Sequence, residues 1–378
     1  MTSEDRHKAR YLRRRAKREE KKNNLEERFN FDKVSSLNSL DKAVFLASKG
    51  VRWKASVQRY RVNKLANVYK THENLINGVD VRRGFTKFDI FERGKLRHIQ
   101  AVKFSERVVQ KSICKNALLP ILTNGMIYDN GASQKGKGTH FAMRRLQKHL
   151  ERHFRHHGRE GGILLIDLHD YFASIDHEKL KALISEKIKD ERTLLYTFRF
   201  IDAFDKGLGL GSEVSQIGAV FYPNKIDHYI KEVLRIKGYA RFMDDSYLIH
   251  KDIQYLRNCL TIIRDLYASL GISLNEDKTR ICDFKHGFTF LKTRYFITKT
   301  GHIIKKPCRE AVTRERRKLK KQALMLENKI LTFKDIETSY CSWRGAMVHR
   351  NARKTIQSMD NLYNNLFIFE WLKEAKYG

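Results

Sequence analysis

Three aspartates carry the most pointed chemistry in the sequence. Asp167 directly follows the apolar run Ile163–Ile166. Asp244 and Asp245 lie between Phe242 and Met243 on one side and Tyr247, Leu248 and Ile249 on the other. Carboxylates in such apolar surroundings are costly unless they are paired or bound to metal. Three of them brought together would repel strongly, and divalent cations would remove that cost. Mg²⁺ prefers hard oxygen ligands and shares them with substrate phosphates. Two such ions roughly 3.5–4 Å apart activate an attacking hydroxyl and stabilise a leaving pyrophosphate. The same acids could instead cap turns or pair with Arg and Lys. That reading fits a lone Asp better than an Asp-Asp between two apolar strands, where one Arg satisfies one carboxylate better than both.

The elements that must position these acids follow from the pattern around them. GGILLIDLHDYF reads as a buried strand breaking into a turn, and GYARFMDDSYLIH as two strand segments around the aspartate pair. Helices are expected from Ser36, through WKASVQRYRVNKLANVY, through ERVVQKSICKNALLPIL, over FAMRRLQKHLERHF, IDHEKLKALISEKI and NKIDHYIKEVLR, and over YLRNCLTIIRDLYASLG closed by Gly271. TKFDIFERGKLRHIQAV alternates around Gly94, the signature of a hairpin. DNGASQKGKGTH is glycine-rich and basic, and it is either an ordinary loop before a helix or a backbone cradle for phosphate, with Gly136 and Gly138 allowing close approach. The segment 301–378 reads as mostly helical and basic, with Trp343, Met347, Ile356, Met359, Leu362 and Leu366 at helical spacing.

The bulk properties narrow the class. The 378 residues suffice for two or three linked subdomains with a sizeable core. A formal net charge of +33 favours a polyanionic partner, because Lys and Arg on phosphates release condensed counterions. Residues 1–22 alone hold ten Lys or Arg against four acids, reading as a solvated helix or a tail that orders on RNA. The five cysteines are odd in number and lack C-x-x-C spacing, which argues against a disulfide framework or zinc knuckle and fits a reducing cytoplasm. His153, His156 and His157 lack a cysteine or carboxylate pattern for metal and read as a solvated helix end or an RNA contact. No apolar run reaches the ~18 residues of a membrane span.

With these residues in hand, the chain resembles the reverse transcriptases, bacterial ones in particular, from about Phe88 to Tyr295. DLHDYFASIDHEKL from Asp167 is similar to the first palm motif, and GLGLGSEVSQ, Gly207–Gln216, to the motif that shapes the nucleotide pocket. RFMDDSYLIH resembles the palm hairpin with its aspartate pair, SLNEDKT the next motif with its lysine at Lys278, and FTFLKTRY the hairpin that grips the primer. GKLRHI resembles the basic hairpin that contacts the incoming triphosphate, and SQKGKGTH a segment common in bacterial members. The palm hairpin more often begins with Tyr; here Phe242 keeps the ring without the hydroxyl, and activity is expected to survive.

The resemblance implies an α+β right-hand polymerase. It would have a basic extension at 1–35, fingers at 36–160, a palm with an antiparallel sheet at 161–300 and a helical basic thumb at 301–378. It implies two Mg²⁺ ions, with Mn²⁺ as an alternative, held by Asp167, Asp244 and Asp245 together with Leu168. Lys278 would act as an acid toward the leaving group. Lys95 and Arg97 would hold the triphosphate, with Leu168, Phe172 and Gln216 lining the nucleotide site. Phe172 would sit under the sugar and exclude a 2′-hydroxyl, favouring deoxynucleotides; the alternative is a core aromatic beside Tyr171. Template RNA, cDNA and dNTPs are the implied partners. Ser215–Gln216 after Leu210–Gly211 is most similar to the enzymes of diversity-generating retroelements, which copy a template-repeat RNA with errors and work with a small basic multimeric accessory protein. Antiphage defence and retron or group II intron-like enzymes share many of these motifs. A reading from another class, an RNA-binding scaffold with a residual polymerase fold, is opposed by the three intact acids and Phe172.

Overall fold

The protein is described from a computed structural model, which covers residues 2–92 and 95–377. It divides into two compact units. The first comprises Met1–Gly138, Leu168–Arg235 and Thr261–Asn275; the second comprises Thr139–Asp167, Ile236–Leu260 and Glu276–Gly378.

The first unit is mostly helical. The basic N-terminal stretch forms the helix Ser3–Arg28, started by a capping box between Thr2 and Asp5 and largely exposed. Ser36 caps the helix Leu37–Ala47, as its position before an apolar stripe predicts. The single helix expected over 53–69 is instead two, Ala55–Val62 and Lys64–Ile76, broken at Asn63. Asparagine tolerates the non-helical backbone there (φ −100°, ψ 39°), and the Asn67 amide donates to the Tyr60 carbonyl at 3.0 Å. The helix expected over 106–122 is also interrupted. Phe104–Ile113 passes into a π turn at Cys114–Leu118 before Leu119–Thr123. Pro120 cannot donate a main-chain hydrogen bond and its ring crowds the preceding turn, so the register widens just ahead of it.

β1 (Phe85–Glu92) and β2 (Lys95–Val102) form the expected antiparallel hairpin, in register from Phe85 opposite Val102 to Glu92 opposite Lys95. Its turn, including the Gly94 singled out above, lies outside the described residues. The end of Ile253–Ser269 is closed as anticipated: Gly271 takes φ +82°, Ile272 N donates to Tyr267 O and Gly271 N to Ala268 O.

The second unit is built on two antiparallel sheets. The larger contains β3 (Gly162–Ile166), β4 (Gly238–Phe242), β5 (Asp245–His250) and β6 (Arg280–Asp283), in the order β4-β5-β3-β6. The smaller contains β7 (Phe288–Phe290), β8 (Thr293–Ile297) and β9 (Ile303–Pro307) in sequence order. β9 departs from the helical reading of 301–378; it pairs with β8 from Ile303 opposite Ile297. The helix Thr139–His157 packs Leu146 and Leu150 into a core with Leu165, Tyr247, Phe290 and Tyr295. Three helices follow, Arg309–Glu327, Phe333–Val348 and Arg353–Tyr377. Their own core centres on Leu319, Ile336, Tyr340 and Met359, with Trp343, Leu362 and Leu366 packed against it.

His153 corrects the reading of 153–157 as a solvated helix end. It is buried, its Nε2 lies 2.7 Å from the Glu160 carbonyl and its ring packs on Phe284, whereas His156 and His157 are exposed.

Candidate active site

The second unit brings four of the candidate residues together on its larger sheet. β3 and β5 pair antiparallel up to Ile166 opposite Ser246, so the next step sets Asp167 opposite Asp245. β3 and β6 pair up to Leu165 opposite Arg280, so two further steps set Asp167 opposite Lys278. Partners across a ladder point to one face. Lys278, Asp167 and Asp245 therefore form a row across the strand ends. Lys278 Nζ confirms it by contact, 2.8 Å from Asp167 Oδ2.

Asp244 occupies the turn between β4 and β5. Phe242 pairs with Asp245, which leaves Met243 and Asp244 as a two-residue loop. Met243 takes φ +57°, a left-handed conformation costly for a side chain this size. Arg241 holds the loop from beneath, its Nη1 3.1 Å from the Met243 carbonyl. It is 1% exposed. A cation buried under an acidic turn went unremarked in the sequence, where Arg241 looks like one basic residue among many. Thr279 was missed as well: the main-chain N–H of Asp167 donates to its Oγ1 at 3.4 Å.

The electrostatics follow from this crowding. Burial, then the charges of Asp244 and Asp167, push the Asp245 carboxyl up to about 7, with Lys278 opposing. The hydrogen bond to Asp167 raises the Lys278 ammonium above its usual value. Among the described residues no three His, Cys, Asp or Glu side chains converge as a ready-made ion cage. Lys278 is the counter-charge seated on Asp167.

The other candidates belong to the first unit. Leu168 is buried and bridges Leu274, so its side chain is core and any contribution to an ion must come from its carbonyl. Phe172 is half-buried in the short helix Tyr171–Ser174, edge-on to Tyr171 at 5.9 Å. Its carbonyl accepts from Leu208 N at 2.7 Å. That approach requires Gly207: φ is +62°, and a Cβ would stand 2.5 Å from the Phe172 oxygen. Tyr171 Oη donates to the Ala219 carbonyl, tying this helix to Glu213–Phe221, whose first turn carries an exposed Gln216.

A buried polar chain holds the loop before Gln216. Gln110 Oε1 accepts from Ser212 Oγ and from Glu213 N, both at 3.0 Å. Gln110 Nε2 donates to Glu106, whose other oxygen accepts from Arg83 N. Ser212 Oγ in turn accepts from Ser215 N. Neither Glu106 nor Gln110 stands out in the sequence, since both sit in an ordinary amphipathic helix. Arg97 is exposed on β2, and the side chain of Lys95 lies outside the described residues. In the glycine-rich loop, Gly136 and Gly138 take φ +74° and +156°. Lys137 there is turned inward, donating to the carbonyls of Tyr128 and Asn130.

An antiparallel sheet with acids gathered at its strand ends, in a chain of mixed helices and sheets, has the α+β fold of a nucleic-acid polymerase. Residues 85–295, more than half of the chain, match the family model described as reverse transcriptase (RNA-dependent DNA polymerase). The chain belongs to that family, whose members normally use divalent metal ions. No curated protein matches it significantly. Apo telomerase from Candida tropicalis truncated from its C-terminal domain is similar at 12% identity and TM-score 0.48, over 59% of this chain and 55% of that one. The apo telomerase from Candida tropicalis gives 13% and 0.47, over 64% and 53%. Telomerase from Candida albicans in complex with a TWJ fragment of telomeric RNA gives 11% and 0.45, over 60% and 46%. The chain spans about half the length of these telomerase chains. No helix among the described residues is long and apolar enough to cross a membrane.

Proposed function

We propose that the chain is an RNA-directed DNA polymerase that extends a DNA primer on an RNA template. The row Lys278–Asp167–Asp245, with Asp244 beside it, carries the reading. Crowded carboxylates, one of them pushed toward protonation by burial and then by the others, are a donor set that suits a hard divalent cation. Asp167, Asp244 and Asp245, with the Leu168 carbonyl, would hold two Mg²⁺ ions, with Mn²⁺ as an alternative. Such ions supply Lewis-acid stabilisation of the attacking and leaving oxygens. The primer 3′-hydroxyl gives its proton to water and attacks the α-phosphorus; the bond to the β-phosphate oxygen breaks and pyrophosphate leaves. Lys278, held as an ammonium, is the group to protonate that leaving oxygen. Lys95 and Arg97 bind the triphosphate, Gln216 lines the base pocket, and Phe172 excludes the 2′-hydroxyl.

The functional divisions proposed are a basic extension at 1–35, fingers at 36–160, palm at 161–300 and thumb at 301–378. The biological setting proposed is a diversity-generating retroelement in the bacterial cytoplasm. GLGLGSEVSQ supports it, with template-repeat RNA as the copied strand and a small basic multimeric accessory protein as partner. Primer extension on an RNA template with Mg²⁺ tests the activity. Wild type should extend and Asp244→Ala should not; equal background product from both would end the polymerase reading. A template and variable repeat pair beside the gene supports the retroelement. Its absence together with protection from phage would assign the chain to defence instead.

A further inference from the structure

We propose that the surface formed by the helix Leu37–Ala47, the turn 48–54 and the helices Ala55–Val62 and Lys64–Ile76 is a further nucleic-acid site, taking single-stranded RNA. Between Lys42 and Lys70 the sequence holds eight Lys or Arg and no acid. Within that stretch three large aromatic rings face solvent: Phe45 is 55% exposed, Trp53 73% and Tyr69 58%. Folding normally hides such rings, and here it does the opposite while surrounding them with cations. Lys49 Nζ lies 5.5 Å and the Arg52 guanidinium 5.3 Å from the Phe45 ring centre, and Lys54 Nζ lies 5.5 Å from that of Trp53.

The turn is built to present them. Ser48 is buried and donates its hydroxyl to Val44 O at 2.6 Å. Gly50 takes φ +73° with open space beside it, and Lys54 N closes back on Val51 O at 3.1 Å. Beside Phe45 opens a pocket of ≈ 390 Å³, rimmed by Lys42, Arg61, Lys64 and Lys115, with Asp41 paired to Lys64 at 2.7 Å.

The chemistry of the surface selects its ligand. Cations that far outnumber the one acid among them, Asp41, call for phosphate, and exposed rings with guanidinium and ammonium groups over them are platforms for unpaired bases. A duplex keeps its base faces inside its own stack and would gain from the cations alone. The choice of RNA over DNA rests on the polymerase reading, in which the unpaired strand is the template.

The test compares the full chain with Phe45→Ala/Trp53→Ala, by anisotropy of a labelled mixed-sequence single-stranded RNA and of the same RNA in a blunt duplex. The double variant should bind the single strand at least about tenfold more weakly and the duplex within about twofold of wild type, which also reports that it is folded. Its salt dependence should be unchanged, whereas Lys49→Ala/Arg52→Ala should flatten it. Phe45→Tyr/Trp53→Phe should restore single-strand affinity. Unchanged single-strand binding in the double variant, or equal loss for single strand and duplex, would overturn the proposal. Binding is read without catalysis, so Asp244→Ala serves as a control: an inactive wild type with intact single-strand preference would sink the polymerase and leave this site standing.

Discussion

Lys278 sits 2.8 Å from Asp167, a residue 111 positions away, and the two belong to one row across the larger sheet. Lys278 is half-exposed, so the pair itself contributes little to stability, on the order of 0–1 kcal/mol. Lys278→Met should therefore leave the melting temperature nearly unchanged. Primer extension should fall by about 10²-fold, the usual scale for a removed general acid. A large drop in melting temperature with unchanged turnover would show that the ammonium is structural only.

Asp245 should behave in the opposite sense. Its carboxyl is pushed up to about 7, chiefly by burial and then by Asp244 and Asp167. An acid whose folded value is raised contributes stability that is complete below about pH 4 and is lost as pH rises through about 7. With a chelator present, Asp245→Asn should melt a few degrees above wild type at pH 8, and the two curves should converge toward pH 4. Extension by Asp245→Asn should be at background. Identical melting curves across that range would refute the charge crowding.

Gly207 gives access to the placement of Phe172. An alanine Cβ at φ +62° would meet the Phe172 carbonyl and Ala173 Cα at 2.5 Å, and both are backbone. Gly207→Ala should destabilise the chain by about 1–3 kcal/mol and weaken the preference for dNTP over rNTP. Phe172→Ala should weaken that preference further while costing less specific loop geometry. Steady-state kcat/KM for the two nucleotide classes measures both, and unchanged ratios would remove Phe172 from the sugar site.

Gln110 is the buried link to the loop before Gln216. Gln110→Leu would take the acceptor from the Glu213 N–H and from the Ser212 hydroxyl and the donor from one Glu106 oxygen, while Ser212 Oγ keeps Ser215 N and Glu106 keeps Arg83 N, at about 1–3 kcal/mol for a buried group left unpaired. Denaturant melts should show the loss, and KM for dNTP should rise more than kcat falls. A variant with wild-type stability would mean that water replaces the amide at no cost.

Much of this protein is legible along the chain because the signals are local. An acid after an apolar run, a doublet between two apolar runs, alternation in 85–102 and a serine before an apolar stripe each report on their own few neighbours. They were enough for the α+β fold and the family. The breaks in helices were less legible, since Asn63 and the π turn ahead of Pro120 depend on which carbonyl finds another donor. β9 hid in a basic segment because its strand character comes from pairing with β8.

What only the tertiary structure decided is adjacency. Sequence spacing does not say that Lys278 and Asp245 flank Asp167, because strand register is chosen by the packing of distant residues such as Leu165 and Tyr247. Nor does it say that Arg241 is buried under the Met243–Asp244 turn, or that Gln110 holds Ser212. The residue types that make metal chemistry conceivable are written in the sequence. The row that crowds them together exists only when the sheet closes, because charge repulsion and desolvation act through space and not along the chain.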